Sequence, residues 1–403
     1  NLTVAENIFL GAEPYNIYGI VDYKKIHFDA KEMLDSINVD LDTYEIVGNL
    51  NTSQWQIIEI CKALAKKPKF LVMDEPTASL DESQIDNLFE IINTLKKNGI
   101  GIIYISHKLK EIIKISDVIT VLKDGKIRKT FEKNIVNEEI LIEAMVGENL
   151  LIKQKELKEF KDSNCILSLK NLSYQNKFNK INLNLAQGEV LGLSGLLGSG
   201  SNELLRCIFG IDKTEEGEIS LSNISIKINS IKDAINYGIG YIPSDRKNEG
   251  LIQNNSIKDN AVLTIFEKLT NFGFFNNKEA ALTTNSYIEK LDIKVSDINN
   301  FVMNLSGGNQ QKVVIAKWLA KKCKILLFDE PTRGIDVAAK VQIWKLISEF
   351  TKEGGSVIVA SNEIPELINN CDRILTLQKG VINNTFNHQE FNEHKISLSI
   401  SSN

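Results

Sequence analysis

The tetrapeptide Asp-Glu-Pro-Thr occurs twice in this chain of 403 residues, at positions 74–77 and 329–332, and each copy follows an apolar run. The surrounding sequence recurs with it at a constant offset of 255 residues, which pairs Leu50 with Leu305. A fixed offset that holds across several separate motifs is the mark of an internal repeat. We therefore expect the chain to fold as two copies of one structural unit.

Composition narrows the class of protein. A chain with 43% hydrophobic and 25% charged residues is typical of soluble globular proteins. The net charge of -5 provides no basic field for nucleic acid, so we expect no nucleic-acid partner. No apolar run approaches the roughly 18 residues of a membrane-spanning helix, so any membrane role would be peripheral. The five cysteines are scattered without a Cys-x-x-Cys pair, which favours neither a disulfide framework nor a zinc site.

Each copy alternates helical and strand patterns. In the first copy, residues 59–65 and 85–95 predict amphipathic helices, residues 70–73 and 100–105 predict short buried strands, and residues 123–126 predict the turn of a hairpin. Strands that alternate with helices indicate an α/β fold with a mostly parallel sheet. Ligands of such sheets bind at the carboxyl ends of the strands.

The same patterns divide the chain. We expect a first cassette at residues 1–147, a charged linker at 148–163, a second cassette at 164–390, and a polar tail at 391–403 that is unimportant to the fold.

Residues 195–202 have the context of a phosphate-binding loop, because they follow an apolar strand that ends at Leu193 and precede a predicted helix. Glycines let backbone N–H groups turn toward an anion, which the helix N-terminus also favours. A complete loop ends in lysine and a hydroxyl residue, whereas this one has Ser201 and Asn202. Losing one charge-assisted contact costs about 1.5–3 kcal/mol, so we expect weakened nucleotide binding and poor support for hydrolysis. The candidate nucleotide-binding residues here are Gly195, Gly198, Ser199, Gly200, Ser201 and Asn202.

The repeat offset places the counterpart of Gly195 before Asn1. We therefore expect the first copy's own phosphate loop to be missing, either because the chain is a fragment of a longer protein or because its gene has lost its start. On this expectation the chain alone is not competent to hydrolyse a nucleotide.

The segment Leu-Ser-Gly-Gly-Asn-Gln at 305–310, which lies 24 residues before Asp329, resembles the signature that precedes the Walker B motif in ATP-binding-cassette (ABC) ATPases. With residues 2–11 and 245–247, the motif set is similar to the duplicated ATP-binding subunit of bacterial monosaccharide importers of the ribose, galactose and xylose type. The resemblance covers residues 1–390. It implies tandem ABC-type nucleotide-binding domains of the P-loop NTPase fold, the first one truncated at its N-terminus.

In that family two cassettes close face to face, and each nucleotide lies between the Walker A loop of one and the signature of the other. The resemblance implies that Asp74 holds Mg²⁺ through water, that Glu75 is the general base, and that His107 reaches the γ-phosphate. It assigns the second signature to the same site. The implied nucleotide-binding residues of that signature are Ser306, Gly307, Gly308 and Gln310.

The other implied site pairs Ser201 and Asn202 with a first signature that has Asn51 for serine and Ser53 for glycine. Asn362 stands where the histidine is expected. The carboxylates at this site are Asp329 and Glu330, also taken as nucleotide-binding. The family usually keeps a hydroxyl at the place of Asn202, serine in the first signature, and glutamate at the place of Ser244. These departures predict a site without ATP turnover.

The resemblance implies an ATP-binding subunit that uses ATP and Mg²⁺ and lies peripherally at the cytoplasmic face of the membrane. Its partners would be membrane permease subunits and, indirectly, an extracytoplasmic sugar-binding protein, which set the sugar specificity. Two alternatives stay open. One is a tandem ABC ATPase acting on ribosomes or DNA, for which a basic linker or zinc cysteines would be expected. The other is a truncated, inactive remnant.

Overall fold

The computed structural model describes residues 1–77, 80–123, 125–146, 164–196 and 198–401, and the predicted linker at 148–163 lies outside this description. The chain divides into two compact units, Asn1–Met145 and Val146–Asn403. Each unit is described by itself below.

The first unit is a set of helices with two separate pairs of strands. Its helices are α1 (Val4–Ile8), α2 (Tyr23–Ser36), α3 (Thr52–Leu64), α4 (Glu82–Lys97), α5 (Leu109–Ile115) and α6 (Glu138–Val146). Its strands are β1 (Phe70–Asp74), β2 (Gly101–Ile105), β3 (Val118–Lys123) and β4 (Lys126–Glu132). The β1 and β2 strands pair in parallel with Asp74 opposite Ile105, and β3 and β4 form the predicted antiparallel hairpin.

The strand β1 is buried on one face only, and the residues of β2 are half-buried or exposed. Leu71 and Met73 lie in the core of the unit, whereas Phe70 is 70% exposed and Val72 is exposed as well. Successive side chains of a strand point to opposite faces, so the described helices cover one face of this pair. The prediction of fully buried strands at 70–73 and 100–105 is therefore wrong for the other face.

A groove of about 920 Å³ lies along β2 and β3, and both strands contribute to its lining. At the repeat offset, these two strands correspond to two strands of the second unit. A third strand lies between those two in the sheet.

The second unit is built on two sheets. Its strands are β5 (Cys165–Tyr174), β6 (Phe178–Ala186), β7 (Val190–Gly195), β8 (Glu216–Leu221), β9 (Ile224–Ile226), β10 (Ile239–Ile242), β11 (Thr270–Asn271), β12 (Phe274–Phe275), β13 (Ile325–Asp329), β14 (Ser356–Ala360), β15 (Arg373–Gln378) and β16 (Val381–Asn387). Its helices are α7 (Ser201–Ile208), α8 (Ile231–Asn236), α9 (Ile257–Val262), α10 (Asn277–Lys290), α11 (Gly307–Ala320), α12 (Val337–Lys352), α13 (Ile364–Asn370) and α14 (Glu393–Ser401).

The main sheet of the second unit has the strand order β10-β13-β14-β7-β15-β16, parallel throughout except for the last strand. A smaller antiparallel sheet has the order β6-β5-β8-β9. Every residue of β7, β13 and β14 is buried, as expected for parallel strands that are covered on both faces. Their carboxyl ends bring the phosphate loop, Asp329 and Ser361 to one edge of the sheet.

The end of the chain contributes to the fold. The helix α14 (Glu393–Ser401) places Ile396 and Ile400 in the main hydrophobic core. The hydroxyl groups of Ser399 and Thr376 lie 2.7 Å apart in a buried contact. The prediction that the tail at 391–403 is unimportant to the fold is therefore wrong for residues 393–401. Although this segment has few apolar residues, α14 buries Ile396 and Ile400 on one face.

Replacing Ile396 with Ala is expected to lower the free energy of unfolding of the second unit by about 2–5 kcal/mol, since its side chain is fully buried. Leu398, on the same helix and 52% exposed, is the matched control, and its replacement with Ala should change stability by less than about 0.5 kcal/mol. Urea denaturation of the full chain checks both values. Equal effects of the two changes would contradict the packing of α14.

Candidate functional site

The phosphate loop of the second unit joins β7 to α7 and requires glycine at two close approaches. Gly200 caps α7 with a φ of +97°, and a Cβ there would lie 2.5 Å from the carbonyl oxygen of Lys177. A Cβ on Gly195 would collide with the side chain of Ser199. The backbone therefore passes closely over the start of α7, where free N–H groups and the helix dipole favour an anion.

The polar side chains of this loop are linked in a chain of hydrogen bonds. The hydroxyl groups of Ser199 and Ser201 lie 3.3 Å apart, and Ser201 Oγ donates to Asn202 Oδ1 at 3.1 Å. Asn202 Nδ2 in turn donates to Asp329 Oδ1 at 2.8 Å. The structure thus brings the adjacent predicted residues Ser201 and Asn202 to Asp329, although Asn202 and Asp329 are 127 residues apart in sequence.

Asp329 ends β13, is 3% exposed, and accepts two further hydrogen bonds. Tyr241 donates to Oδ2 at 2.9 Å from the adjacent strand β10, and Ser244 donates to the same oxygen at 3.3 Å. Burial raises the pKa of Asp329, and the bonds from Tyr241 and Ser244 act in the opposite direction. Burial and the neighbouring carboxylate also raise the pKa of Tyr241, which keeps its hydroxyl a donor.

Mg²⁺ does not fit the residues of this site. It demands a near-octahedral set of oxygen ligands, usually including several waters. Asn202 stands at the hydroxyl position of the loop and presents an N–H group toward Asp329, whose own oxygens already accept protein donors. No step of the chemistry is therefore assigned to a metal in this unit.

Glu75 and Glu330, the residues after the two Walker B aspartates, have the same strained backbone. Each has a φ of +47°, in the left-handed region that costs a non-glycine residue roughly 1–2 kcal/mol. Each donates its N–H group to the end of the neighbouring strand, at 2.9 Å from Ile105 O and Ala360 O respectively. Strain of this kind persists where the surrounding structure enforces it, and it clusters at functional sites. Its recurrence marks it as a property of the repeated unit.

The two glutamates differ in what they meet. His107 Nδ1 lies 2.8 Å from Glu75 Oε1 and is the donor, because a carboxylate only accepts. Glu75 Oε2 is buried and has no hydrogen-bond partner among the described residues. In the second unit, Glu330 Oε1 accepts instead from the backbone N–H group of Asn362 at 3.0 Å. Burial raises the pKa of Glu330, an effect that this bond opposes.

Asp74 is the exposed last residue of β1, unlike its buried counterpart Asp329. Carboxylate oxygens are the ligands that Mg²⁺ and its bound waters prefer. The side chain of Asp74 is therefore of the right chemistry for Mg²⁺ held through water. The first unit thus brings together the predicted residues Asp74, Glu75 and His107 at the carboxyl ends of β1 and β2.

A buried threonine–glutamate contact behind each Walker B segment was missed in the sequence. Thr77 Oγ1 donates to Glu111 Oε2 at 2.7 Å, and Thr332 Oγ1 donates to Glu366 Oε2 at 2.6 Å. Both contacts tie the turn after the Walker B strand to the helix that follows the next strand. The signal was available, because both partners repeat at the 255-residue offset.

The signature Ser306 is exposed at the N-cap of α11, and its hydroxyl accepts a hydrogen bond from Asn309 Nδ2 at 3.0 Å. Gly307 and Gly308 are the first helical residues, and a Cβ on Gly308 would lie 2.6 Å from Ala339 Cβ. Gly308 therefore permits close packing of α11 on α12, whereas a Cβ on Gly307 would lie 2.6 Å from the Arg246 guanidinium.

The first signature has a different arrangement. Asn51 caps α3 in a reciprocal capping box with Gln54, with N–O distances of 2.9 and 3.0 Å. Its carboxamide oxygen is thus already engaged by the helix it begins, and Ser53 occupies the place of the second glycine.

The side chain of Gln310 turns inward. Its side chain is 3% exposed, and its amide nitrogen lies 3.2 Å from Leu305 O and 3.3 Å from Val302 O, both of which accept from it. The sequence-based assignment of Gln310 as a nucleotide contact is corrected accordingly: it braces the turn that precedes the signature.

In the described part of the chain, no helix has the length and apolar character needed to cross a bilayer. Nor do those residues contain a group of three or more His, Cys, Asp or Glu side chains placed to hold a metal ion.

The glycine loop after a central parallel strand, the paired Walker B carboxylates and the signature helix define an α/β ATPase cassette of the P-loop class. The ABC transporter family model matches residues 178–333. The dimeric bacterial ABC transporter cassette MJ0796 is 26% identical with a TM-score of 0.50, covering 56% of this chain and 100% of that one.

Relatives extend the match to almost the whole chain. The ribose import ATP-binding protein of Clostridium perfringens strain SM101 is 42% identical over 398 residues, which are 98% of this chain and 79% of that protein. The xylose import ATP-binding protein of Thermoanaerobacter pseudethanolicus is 41% identical over 403 residues, again 98% of this chain and 79% of the relative. The chain therefore belongs to the family of sugar-import ATP-binding proteins of ABC transporters.

Proposed function

We propose that this chain is the ATP-binding subunit of an ABC sugar importer, in which ATP binding closes paired cassettes and hydrolysis reopens them. ATP drives this change to the extent that it binds the closed state more tightly than the open one. The observation that carries the proposal is the contact of 2.8 Å between His107 and Glu75 at the carboxyl end of β1. The ribose-import and xylose-import relatives supply the class of cargo.

In the proposed reaction Glu75 is the general base. Its Oε1 is held by His107, so the carboxylate is oriented, while its buried Oε2 has no partner among the described residues and is left to accept a proton from the attacking water. Asp74 would hold Mg²⁺ through water, and that ion, when bound with the nucleotide, supplies positive charge beside the β- and γ-phosphates. We propose that the imidazole of His107 contacts the transferred phosphoryl group.

We infer that the second signature completes the site at which turnover occurs. A nucleotide in this class of ATPase is closed by the signature of a facing cassette. Ser306, Gly307 and Gly308 offer a hydroxyl and helix N-terminal amides for the γ-phosphate. The first signature offers an engaged Asn51 and a Ser53 side chain instead.

The set formed by Asp329 and Glu330 is proposed to hold nucleotide without turning it over. The loop lysine is replaced by Ser201, the hydroxyl by Asn202, and the histidine by Asn362. Glu330 keeps its backbone geometry but has no imidazole to orient it, only a backbone N–H group.

The proposed partners are membrane permease subunits and, through them, an extracytoplasmic sugar-binding protein, with the chain bound peripherally at the cytoplasmic face. Purification of the tagged chain from its native cells in mild detergent tests this assignment. We expect proteins with several membrane-spanning helices to accompany it, at constant ratio across two further columns. If the chain is instead recovered with ribosomal proteins or DNA, a tandem ABC ATPase acting on ribosomes or DNA is favoured. If the chain is recovered without any partner, the proposal is contradicted.

A further inference from the structure

The degenerate site of the second unit has chemistry of its own beyond the loss of turnover. We propose that it takes its nucleotide as the free polyphosphate anion, without Mg²⁺. The proposal rests on the proposed function in one respect, namely that the loop beginning at Gly195 binds nucleotide.

The first step is the state of the Asp329 carboxylate. Its Oδ1 accepts from Asn202, and its Oδ2 accepts from both Tyr241 and Ser244. A carboxylate has about four acceptor positions in all, so three of them are filled by protein donors. With the side chain 3% exposed, little of the carboxylate is left for a metal ion or for metal-bound water.

The second step is the Asn202 amide, which occupies the position of the loop's metal-binding hydroxyl. Its nitrogen faces Asp329 at 2.8 Å, and its oxygen accepts from Ser201 Oγ at 3.1 Å. Turning the amide over would place its oxygen against the carboxylate, which only accepts, so the hydrogen bond to Asp329 would be lost. The amide oxygen of Asn202 thus points away from Asp329 and already accepts a hydrogen bond from Ser201.

The third step is a comparison within the chain. Asp74, the counterpart of Asp329 at the repeat offset, is exposed. Asp329 is closed by donors from Tyr241, Ser244 and Asn202, none of which belongs to the Walker B strand. The repeat offset places the counterparts of all three before Asn1, so Asp74 has no such donors.

A free polyphosphate suits what remains at the loop. The backbone N–H groups at the start of α7 are neutral donors, which would bind phosphate oxygens directly. Mg²⁺ bound to the same oxygens would compete with these donors and would meet no ligand from Asp329 or Asn202.

The test is the affinity of the full chain for a fluorescent ATP analogue, measured with excess Mg²⁺ and again with EDTA. The sequence contains one glycine-rich loop of this kind, so the titration reports this site. We expect the two dissociation constants to agree within about threefold. Tenfold or tighter binding with Mg²⁺ would overturn this inference and leave the proposed function standing, whereas no binding in either condition would overturn both.

Two single variants sharpen the result. Asn202→Thr restores a hydroxyl ligand and removes a donor from Asp329, and it should bind the analogue at least about tenfold more tightly with Mg²⁺ than with EDTA. Ser201→Lys adds charge to the loop without a metal ligand, and it should tighten binding in both conditions with no new dependence on Mg²⁺.

A metal probe gives a readout independent of affinity. Mn²⁺ in place of Mg²⁺ should show no nucleotide-dependent protein-bound signal by electron paramagnetic resonance in the unchanged chain, and should show one in Asn202→Thr. A bound Mn²⁺ signal of equal size in both proteins would overturn the inference.

Discussion

Replacing Glu75 with Gln is expected to lower the steady-state rate of ATP turnover by at least about 100-fold, because a positioned general base contributes typically 10²–10⁴-fold. Glutamine keeps the size of the side chain but cannot accept the proton of the attacking water. The measurement is phosphate release by a form of the protein that also carries a phosphate loop with lysine and threonine for the first cassette.

Glu330→Gln is the matched control at the repeat offset. Glu330 shares the φ of +47° and the backbone contact to the next strand, so the two replacements perturb equivalent geometry. The rate of ATP turnover of the Glu330→Gln variant should stay within about threefold of that of the unchanged protein, because we assign no turnover to the second site. Equal loss from both replacements would sink the assignment of unequal sites.

Replacing Ser306 with Arg is expected to reduce ATP turnover by a similar factor, about 100-fold or more. The cause would be that the signature no longer closes over the nucleotide, while the general base Glu75 is unchanged. Ser306 is exposed at the N-terminus of a helix of 14 residues, where a long cationic side chain occupies the space of the phosphate. The same phosphate-release assay measures this loss of turnover. A nucleotide titration measures the affinity of the phosphate loop that this protein form carries for the first cassette.

Asn51→Arg is the control, because Asn51 is the equivalent N-cap of α3 and lies in the signature that we assign to the silent site. Its capping box would be lost, which costs about 1 kcal/mol of stability, but turnover should change little. Stronger inhibition by Asn51→Arg than by Ser306→Arg would reverse the assignment of the two signatures.

Much of the parallel architecture follows from local sequence. The apolar runs at 70–73 and 325–328 are strands, β3 and β4 pair as the predicted hairpin, and the α/β fold of the P-loop class is confirmed. The closeness of Glu75 and His107 also follows from one rule, because side chains after neighbouring parallel strands meet at one edge of the sheet. The family membership is confirmed by the ribose-import and xylose-import relatives.

The structural features that the sequence did not predict depend on contacts between distant segments. Tyr241 is 88 residues from Asp329 and reaches it only because β10 pairs with β13. Gln310 belongs to a signature motif, yet its side chain turns inward to three carbonyl groups, a direction that a motif does not encode. Ile396 and Ile400 sit in a polar segment whose helical face is apparent only once the core is assembled.

The repeated motif thus has two physical environments. In the first unit Glu75 is oriented by His107. In the second, a buried Asp329 is closed by protein donors, and Glu330 meets a backbone N–H group. The central claim is that only the first environment supports chemistry.

A single-turnover measurement tests this claim most directly. The protein form that carries both phosphate loops would be saturated with labelled ATP, freed of excess nucleotide, and quenched after one cycle, and the bound nucleotide would be separated into ATP and ADP. We predict one ADP for each ATP retained, with the ADP absent in Glu75→Gln and unchanged in Glu330→Gln. Conversion of all bound ATP to ADP at a single rate would contradict the account.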